Sequence, residues 1–314
     1  MSPAPGWSPW RPLEGVPAMS EAVLIETLDG GQAFRWFPTR AKAAAAFPAP
    51  VKFAERGEEV WNGVWGQHVA HLRLDSAGRV EWSAPTSQAT RTGAALATYC
   101  GGAQDFAALT DSLPIRSDSH LARCVAAFPG LRILRQPFGE TLLGFLCSAT
   151  KQIVQIKQMV GLLAARHGAE IVRGYYRLPT WTELAAVPET ELRACLLGFR
   201  ARYIAETARF LVAHPGWLEE TEAAPYAVAK ERLCSLPGVG EKVADCVLLF
   251  GAGKLEAFPV DVWILKTMAR RYGLEGWKPA QVAHFGRVHF GPLAGFAQQY
   301  LFAWERWAAR HSLG

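Results

Sequence analysis

Charge, paired cysteines and long apolar runs are all scarce in this sequence. Charged side chains make up 19% of the 314 residues, and half of the residues are apolar. A chain with that balance can bury a core, which excludes a disordered or polyelectrolyte main body. No window approaches the roughly 18 unbroken apolar residues that a membrane span needs, so no membrane partner is expected. The six cysteines are Cys100, Cys124, Cys147, Cys195, Cys234 and Cys246; none form a C-x-x-C pair, and the nearest two stand twelve apart. Zinc ribbons and iron–sulfur loops need closer spacing. So few thiols point to a reduced, intracellular setting. Met1–Pro12 lacks the charged start and apolar run of a secretory leader.

The charge that is present is uneven. The 33 basic and 28 acidic residues give +5 overall, split as 11 against 12 in residues 1–130 and 22 against 16 in residues 131–314. A mildly basic second part suits a polyanion such as nucleic acid, although chance surface composition explains it equally well. At about 100–200 residues per domain, the length predicts two or three domains.

Residues 1–20 are rich in proline and read as an extended lead-in. The apolar run Ala22–Ile25, the aromatic segment Ala33–Phe37, His68–Leu74 and Arg79–Trp82 have strand character. The last two flank Ser76-Ala77-Gly78, a hairpin turn. Ala41–Ala46 is low in complexity and reads as a surface loop or short helix. From about residue 118 the pattern becomes helical. Ile153, Ile156, Met159, Val160 and Leu163 share one helix face, and Thr180–Glu183 has capping-box spacing. Further helices are predicted at Arg202–Ala213, Tyr226–Leu236, Val262–Tyr272 and Ala294–Arg310. Glu219–Glu222 reads as a solvated helix end or turn. The fold class expected is α+β: an N-terminal antiparallel β-sheet domain, 1–117, followed by all-helical domains, 118–314.

The stretch Leu233–Cys246 carries the chemistry. A helix ends near Leu236, Pro237-Gly238-Val239-Gly240 turns tightly, and a second helix starts at about Glu241. Glycine lets a backbone approach a ligand closely. The first N–H groups of the second helix lack partners within it, and its dipole favours an anion. A DNA phosphate fits such a site, although an ordinary packing corner has the same pattern. Lys242 lies in the first turn of that helix, where the dipole opposes a cation. A broken local rule tends to mark function, and a neutral amine is a nucleophile. Read alone, Lys242 could equally be a surface lysine. Cys246 shares its face, one turn on. Asp261 follows Pro259 and opens the next helix, either as a plain N-cap or as a carboxylate facing the hairpin lysine.

Leu236–Cys246 followed by Pro259-Val260-Asp261 resembles the helix–hairpin–helix DNA glycosylase superfamily, with its catalytic lysine and aspartate. Gly31-Gln32-Ala33-Phe34-Arg35-Trp36 resembles the GQ-x-FRW signature of its 8-oxoguanine DNA glycosylases. Leu197–Tyr203 and Gly291–Gln298 are similar to two further motifs of that family, in family order. The iron–sulfur members carry four cysteines after the aspartate, whereas here none follows Cys246.

The resemblance implies an enzyme of base excision repair whose partner is double-stranded DNA containing oxidised guanine. The damaged base would be flipped into a pocket. Lys242 would attack C1′ and hold the sugar as a Schiff base, giving lyase as well as glycosylase activity. Asp261 would stabilise positive charge on the sugar. Gly31 would offer its carbonyl to the N7 hydrogen that guanine lacks, Phe302 and Cys246 would stack on the base, and Gln298 would read its Watson–Crick edge. The hairpin, Gly238, Val239 and Gly240, would hold phosphate. Phe199 matches the wedge position and Arg200 a reader of the opposite cytosine. Thr150, Gln155 and Trp263 depart from the eukaryotic pattern, standing where an asparagine, a second cytosine-reading arginine and a phosphate-binding histidine are expected. Loss of that arginine predicts a weaker preference for cytosine opposite the lesion. No cofactor or catalytic metal is implied. A monomer is expected, in the cytoplasm with the nucleoid, or in the nucleus of a eukaryote.

Overall fold

A computed structural model of the chain describes residues 6–39 and 59–311. The expectation for Ala41–Ala46 lies outside these residues. The first part runs β1 (Arg11–Pro12), α1 (Glu21–Asp29), β2 (Trp36–Pro38), β3 (Trp61–Trp65), β4 (His68–Leu74), β5 (Val80–Ser83), α2 (Ala89–Tyr99) and α3 (Phe106–Asp111). Its strands form a five-stranded antiparallel sheet in the order β1-β5-β4-β3-β2. The β4–β5 hairpin forms as expected. Asp75 closes it by accepting from the Ala77 and Arg79 amides at 2.9 Å and pairing with the Arg79 guanidinium at 2.7 Å.

The second part begins with α4 (Ser119–Ala127), α5 (Phe138–Leu146) and α6 (Ile153–His167). After the short strands β6 (Glu170–Val172) and β7 (Tyr175–Tyr176) come α7 (Trp181–Ala186) and α8 (Glu189–Leu192), then a π-helical turn over Arg193–Leu197. The chain finishes with α9 (Arg200–Ala213), α10 (Trp217–Ala223), α11 (Tyr226–Cys234), α12 (Glu241–Phe250), α13 (Val262–Tyr272), α14 (Pro279–Phe290) and α15 (Ala294–Arg310). Thr180 caps α7 with the reciprocal bonds to Glu183 that its spacing predicts.

Four expectations are corrected. Ala22–Ile25 is helical, inside α1. The Ser20 hydroxyl caps the first turn by accepting from the Val23 amide, Glu21 complements the helix dipole, and Val23, Leu24, Thr27 and Leu28 form one buried face. A four-residue apolar run is too short for periodicity to separate helix from strand. The strand expected from Ala33 begins only at Trp36, because the residues before it are bound to the helical part. That part is not all-helical: β6 and β7 form a hairpin. Tyr175 of β7 packs with Val64 and Val69, and its hydroxyl lies 3.0 Å from His71 Nε2, so the hairpin seals one face of the first sheet. The run Glu219–Glu222 lies within α10 and is partly paired, Glu220 with Arg232 at 3.0 Å and Glu222 with Arg135 at 2.8 Å.

The sheet's inner layer is aromatic. Trp36, Trp61, Trp65 and Trp82 are buried, and the Trp36 indole donates to the Tyr99 hydroxyl at 3.1 Å. Trp36 lies flat across Gly63 of β3, where a Cβ would meet the ring at 2.2 Å. Gly63→Ala is therefore an overpacking change, expected to cost about 1–3 kcal/mol. A thermal melt with an unchanged midpoint would show that Trp36 has room to move aside.

Candidate active site

The hairpin between α11 and α12 is shaped by close packing. Gly238 has φ +76, and a Cβ there would lie 2.3 Å from the Tyr203 ring, so both its conformation and the space require glycine. Val239 is buried and its amide donates to the Leu236 carbonyl at 3.2 Å. Gly240 is the N-cap of α12 and has no side chain to satisfy the first amides. By contrast α1, α3, α4, α7 and α13 are capped by Ser20, Asp105, Asp118, Thr180 and Asp261. Buried Asp245 sets the position of α12. It accepts from the Tyr226 hydroxyl at 2.7 Å and from Lys230 Nζ at 3.0 Å, both on α11.

This places Lys242 with its Nζ 3.5 Å from the Ser148 hydroxyl and 5.5 Å above the centre of the Phe145 ring. Asp261 caps α13, its Oδ1 accepting from the Ile264 amide at 2.9 Å. Burial raises its carboxyl above the usual range. The Ile264 amide and the field of Lys242 oppose that rise. Cys246, one turn beyond Lys242, is buried, and burial pushes its thiol up to about 12, so it presents a neutral sulfur. Gln298 is also buried. It donates to the Pro259 carbonyl at 3.0 Å and accepts from Gln299 at 2.6 Å, which ties α15 to the segment leading into Asp261.

Gly31 comes from the other end of the chain. Its φ is +104, and a Cβ on it would lie 3.2 Å from Ile153 Cδ1 and 3.9 Å from the Phe302 ring. The first part, α6 and α15 therefore meet at one point. The neighbours of Gly31 hold it there. Gln32 donates to the Arg132 carbonyl at 2.8 Å and accepts from the Leu134 amide at 3.0 Å, while Gln136 donates to the Gln32 carbonyl at 2.7 Å. Phe34 packs edge-on against Phe145, the ring beneath Lys242, with centroids 5.1 Å apart. Arg35 reaches the Tyr176 carbonyl in the β6–β7 hairpin. Sequence reasoning marked this segment but could not say what each residue holds. It missed Ser148, whose hydroxyl faces Lys242; its place just before Thr150 was the available signal.

Phe199 and Arg200 are adjacent but differently disposed. The Phe199 ring is 51% exposed and Arg200 only 2%. The Arg200 guanidinium donates to the Leu197 carbonyl at 3.2 Å and to the Thr150 hydroxyl at 3.0 Å, and also reaches the Ala149 carbonyl. Thr150 at φ +56 and Leu196 at φ +63 are the only non-glycine residues with positive φ among the described residues. Arg200 thus staples together two strained turns. Gln155 is exposed and accepts from the Gln152 amide at 3.1 Å, capping α6. Trp263 lies in the first turn of α13, part-exposed. Among the described residues no group of three or more His, Cys, Asp or Glu could hold a metal ion.

Comparison with known proteins gives this geometry a family. Residues 143–288 match the HhH-GPD superfamily of base excision DNA repair proteins. The chain is 31% identical to the N-glycosylase/DNA lyase OGG1 of Arabidopsis thaliana, over 96% of this chain and 81% of the plant protein. It is 30% identical to the 8-oxoguanine glycosylase/lyase of Clostridium acetobutylicum, crystallised with double-stranded DNA carrying cytosine opposite 8-oxoguanine. That likeness has a TM-score of 0.77 and covers 91% of this chain and 92% of the other. A 3-methyladenine DNA-glycosylase from Archaeoglobus fulgidus shares the fold at TM-score 0.67, over 95% of this chain and 98% of that one, but only 20% of the sequence. The chain belongs to the HhH-GPD superfamily, as a member of its OGG1-type N-glycosylase/DNA lyase family.

Proposed function

We propose that this enzyme excises 8-oxoguanine from duplex DNA and then nicks the strand, with Lys242 as nucleophile. The observation that carries the reading is the convergence of Gly31 and Phe302, from opposite ends of the chain, with α15 bonded through Gln298 to the segment before Asp261 and Phe34 packed on the ring beneath Lys242.

A base inside a duplex is out of reach, so the nucleotide must be flipped into the protein. Cys246 offers a neutral, buried sulfur to one face of the base and Phe302 a ring to the other. The Gln298 amide has two donors and two acceptor lone pairs. Pro259 takes one donor and Gln299 one lone pair, leaving one of each, in fixed orientation, for the base edge. The Gly31 carbonyl would accept the N7–H of 8-oxoguanine. Guanine presents a lone pair there instead, and a buried carbonyl facing a lone pair is penalised.

The unprotonated Lys242 amine attacks C1′. The new N–C1′ bond forms as the bond to the base breaks, and the base leaves with that electron pair and takes up a proton. Positive charge on the sugar peaks in that transition state, where the bond to the base is breaking ahead of full bonding to nitrogen, and the Asp261 carboxylate stabilises it. Loss of the amine proton and ring opening give a Schiff base. Removal of a C2′ proton then expels the 3′ phosphate and nicks the strand. The uncapped start of α12 supplies amides for a backbone phosphate. Phe199 and Thr150, linked through the Arg200 guanidinium, would fill the gap left by the flipped base. Trp263, in the first turn of α13, would lie along the backbone.

Borohydride trapping on a duplex with 8-oxoguanine opposite cytosine tests the amine. Wild type should give a covalent adduct and Lys242→Gln none. Base release without an adduct would make water the nucleophile, and binding without either would leave a DNA-binding module. The opposite-base reading rests on Gln155 and on Arg200 being folded inward. Across duplexes with each of the four opposite bases the preference for cytosine should be weak, and a strong cytosine preference would overturn it.

Asp261 gives a test with two opposite signs. Its folded-state carboxyl titrates above the unfolded value, so its contribution to stability is full below the unfolded value and is lost as pH rises through the folded one. Asparagine caps a helix as well as aspartate does. Asp261→Asn should therefore melt higher than wild type at neutral pH, with the gain vanishing in acid, while base excision collapses. In wild type the acid limb of single-turnover excision should lie above the ordinary carboxylate range. A lower melting temperature for the variant would mean that the field of Lys242 outweighs burial.

A further inference from the structure

The carbonyl that would read the lesion belongs to Gly31, and the peptide just before it joins two adjacent glycines. Glycine restrains a backbone least, so Gly30-Gly31 holds a carbonyl in place only if something outside pins it. Neither glycine can be exchanged for a stiffer residue. A Cβ on Gly30 would lie 2.0 Å from the Glu26 carbonyl oxygen, and Gly31 sits at φ +104.

Gln32 and Gln136 hold Gly31 from its C-terminal side; on the Gly30 side the pin is Arg306, on α15. It is 8% exposed, and its Nη1 donates both to the Gly30 carbonyl and to Glu26 Oε1, each at 2.7 Å. The same guanidinium lies 5.2 Å from the centre of the Phe302 ring, one turn earlier on α15. One side chain thus fixes the glycine peptide and backs the aromatic wall beside it. On the opposite side Lys157 of α6 pairs with Asp29, and Ile153, one turn before Lys157, touches Gly31. The mechanism above uses neither Arg306 nor Glu26.

An apolar pair could tie α1 to α15 equally well, often at no loss of stability. What an apolar pair could not do is hold a carbonyl. We propose that Arg306 is a positioning residue that sets the carbonyl of Gly31, and that it thereby governs selection of 8-oxoguanine over guanine. This rests on the reading of Gly31 given above. Arg306 also lends its field to Asp261, but what it does through Gly31 is confined to base recognition, because an abasic site presents no base for Gly31 to read.

The test separates the two activities. Arg306→Leu alone would strand the buried Glu26 carboxylate and destabilise the fold. Glu26→Leu/Arg306→Leu removes both charges together, and Arg306→Lys keeps the charge but loses the planar fork. Both variants should excise 8-oxoguanine about tenfold more slowly at single turnover, the loss expected of one displaced hydrogen bond. Both should also discriminate less against guanine, and both should cut a preformed abasic site as wild type does. Arg306→Lys decides the matter if the double variant does not fold. Excision at the wild-type rate would make the pair a structural tie only. Loss of abasic-site cutting in step with excision would place its effect on DNA binding or chemistry, and would equally overturn the proposal. A wild type that does not distinguish 8-oxoguanine from guanine would instead remove the role of Gly31 itself.

Discussion

Gln32 exchanges hydrogen bonds in both directions with the extended segment around Arg132–Gln136, and both sides of the exchange are buried. A buried primary amide is costly unless its groups are matched, and here the backbone matches them. That requirement joins the first sheet to the helical part in a single register. Gly31 precedes this anchor by one residue and Phe34 follows it by two, so the glycine arrives beside Phe302 and the phenylalanine beside Phe145. The ring of Phe145 lies beneath Lys242. The placement of Lys242 relative to Phe302 therefore depends on a side chain bonded to a stretch of main chain a hundred residues away.

The residues proposed as the chemical centre were more legible in the sequence than those packed around them. Lys242 announces itself by standing where a helix dipole disfavours it, and Asp261 by opening a helix just after a proline. Both signals are local. Val262–Tyr272 and Ala294–Arg310 were readable to the residue because long amphipathic stretches with clear ends leave little choice. Ala22–Ile25 was misread because its helix is declared by Ser20 and Glu21 rather than by its apolar residues. β3 escaped notice because Asn62 and Gly63 interrupt its apolar pattern. Asn62 is buried, and its Oδ1 lies 3.4 Å from the Tyr175 hydroxyl, while Gly63 makes room for Trp36. In each case the deciding partner lies far away in sequence.

Two polar groups of the site serve the fold and the chemistry together. Asp261 caps α13 with the carboxyl group that would face the sugar, so the cap orients it without a further side chain. Arg200 bonds two strained turns, at Thr150 and Leu196–Leu197, with the guanidinium that the family resemblance sends toward DNA. Strain of this kind persists only where surrounding contacts over-determine it, and it collects at functional sites. The staple and the exposed Phe199 ring belong to the same short turn.

The meeting of Gly31 with Phe302 also bears on how the protein comes into being. Chains fold largely from the N-terminus as they are synthesised. The sheet, the hairpin, Lys242 and Asp261 all leave the ribosome before α15 does. A nascent chain at that stage has Lys242, Cys246 and Asp261 but not yet Phe302. Gln298, Phe302 and Arg306 arrive together on the last helix, so the same event brings Phe302 to Gly31 and buries the apolar face of α15. On the function proposed above, selectivity would thus be the final property the molecule acquires.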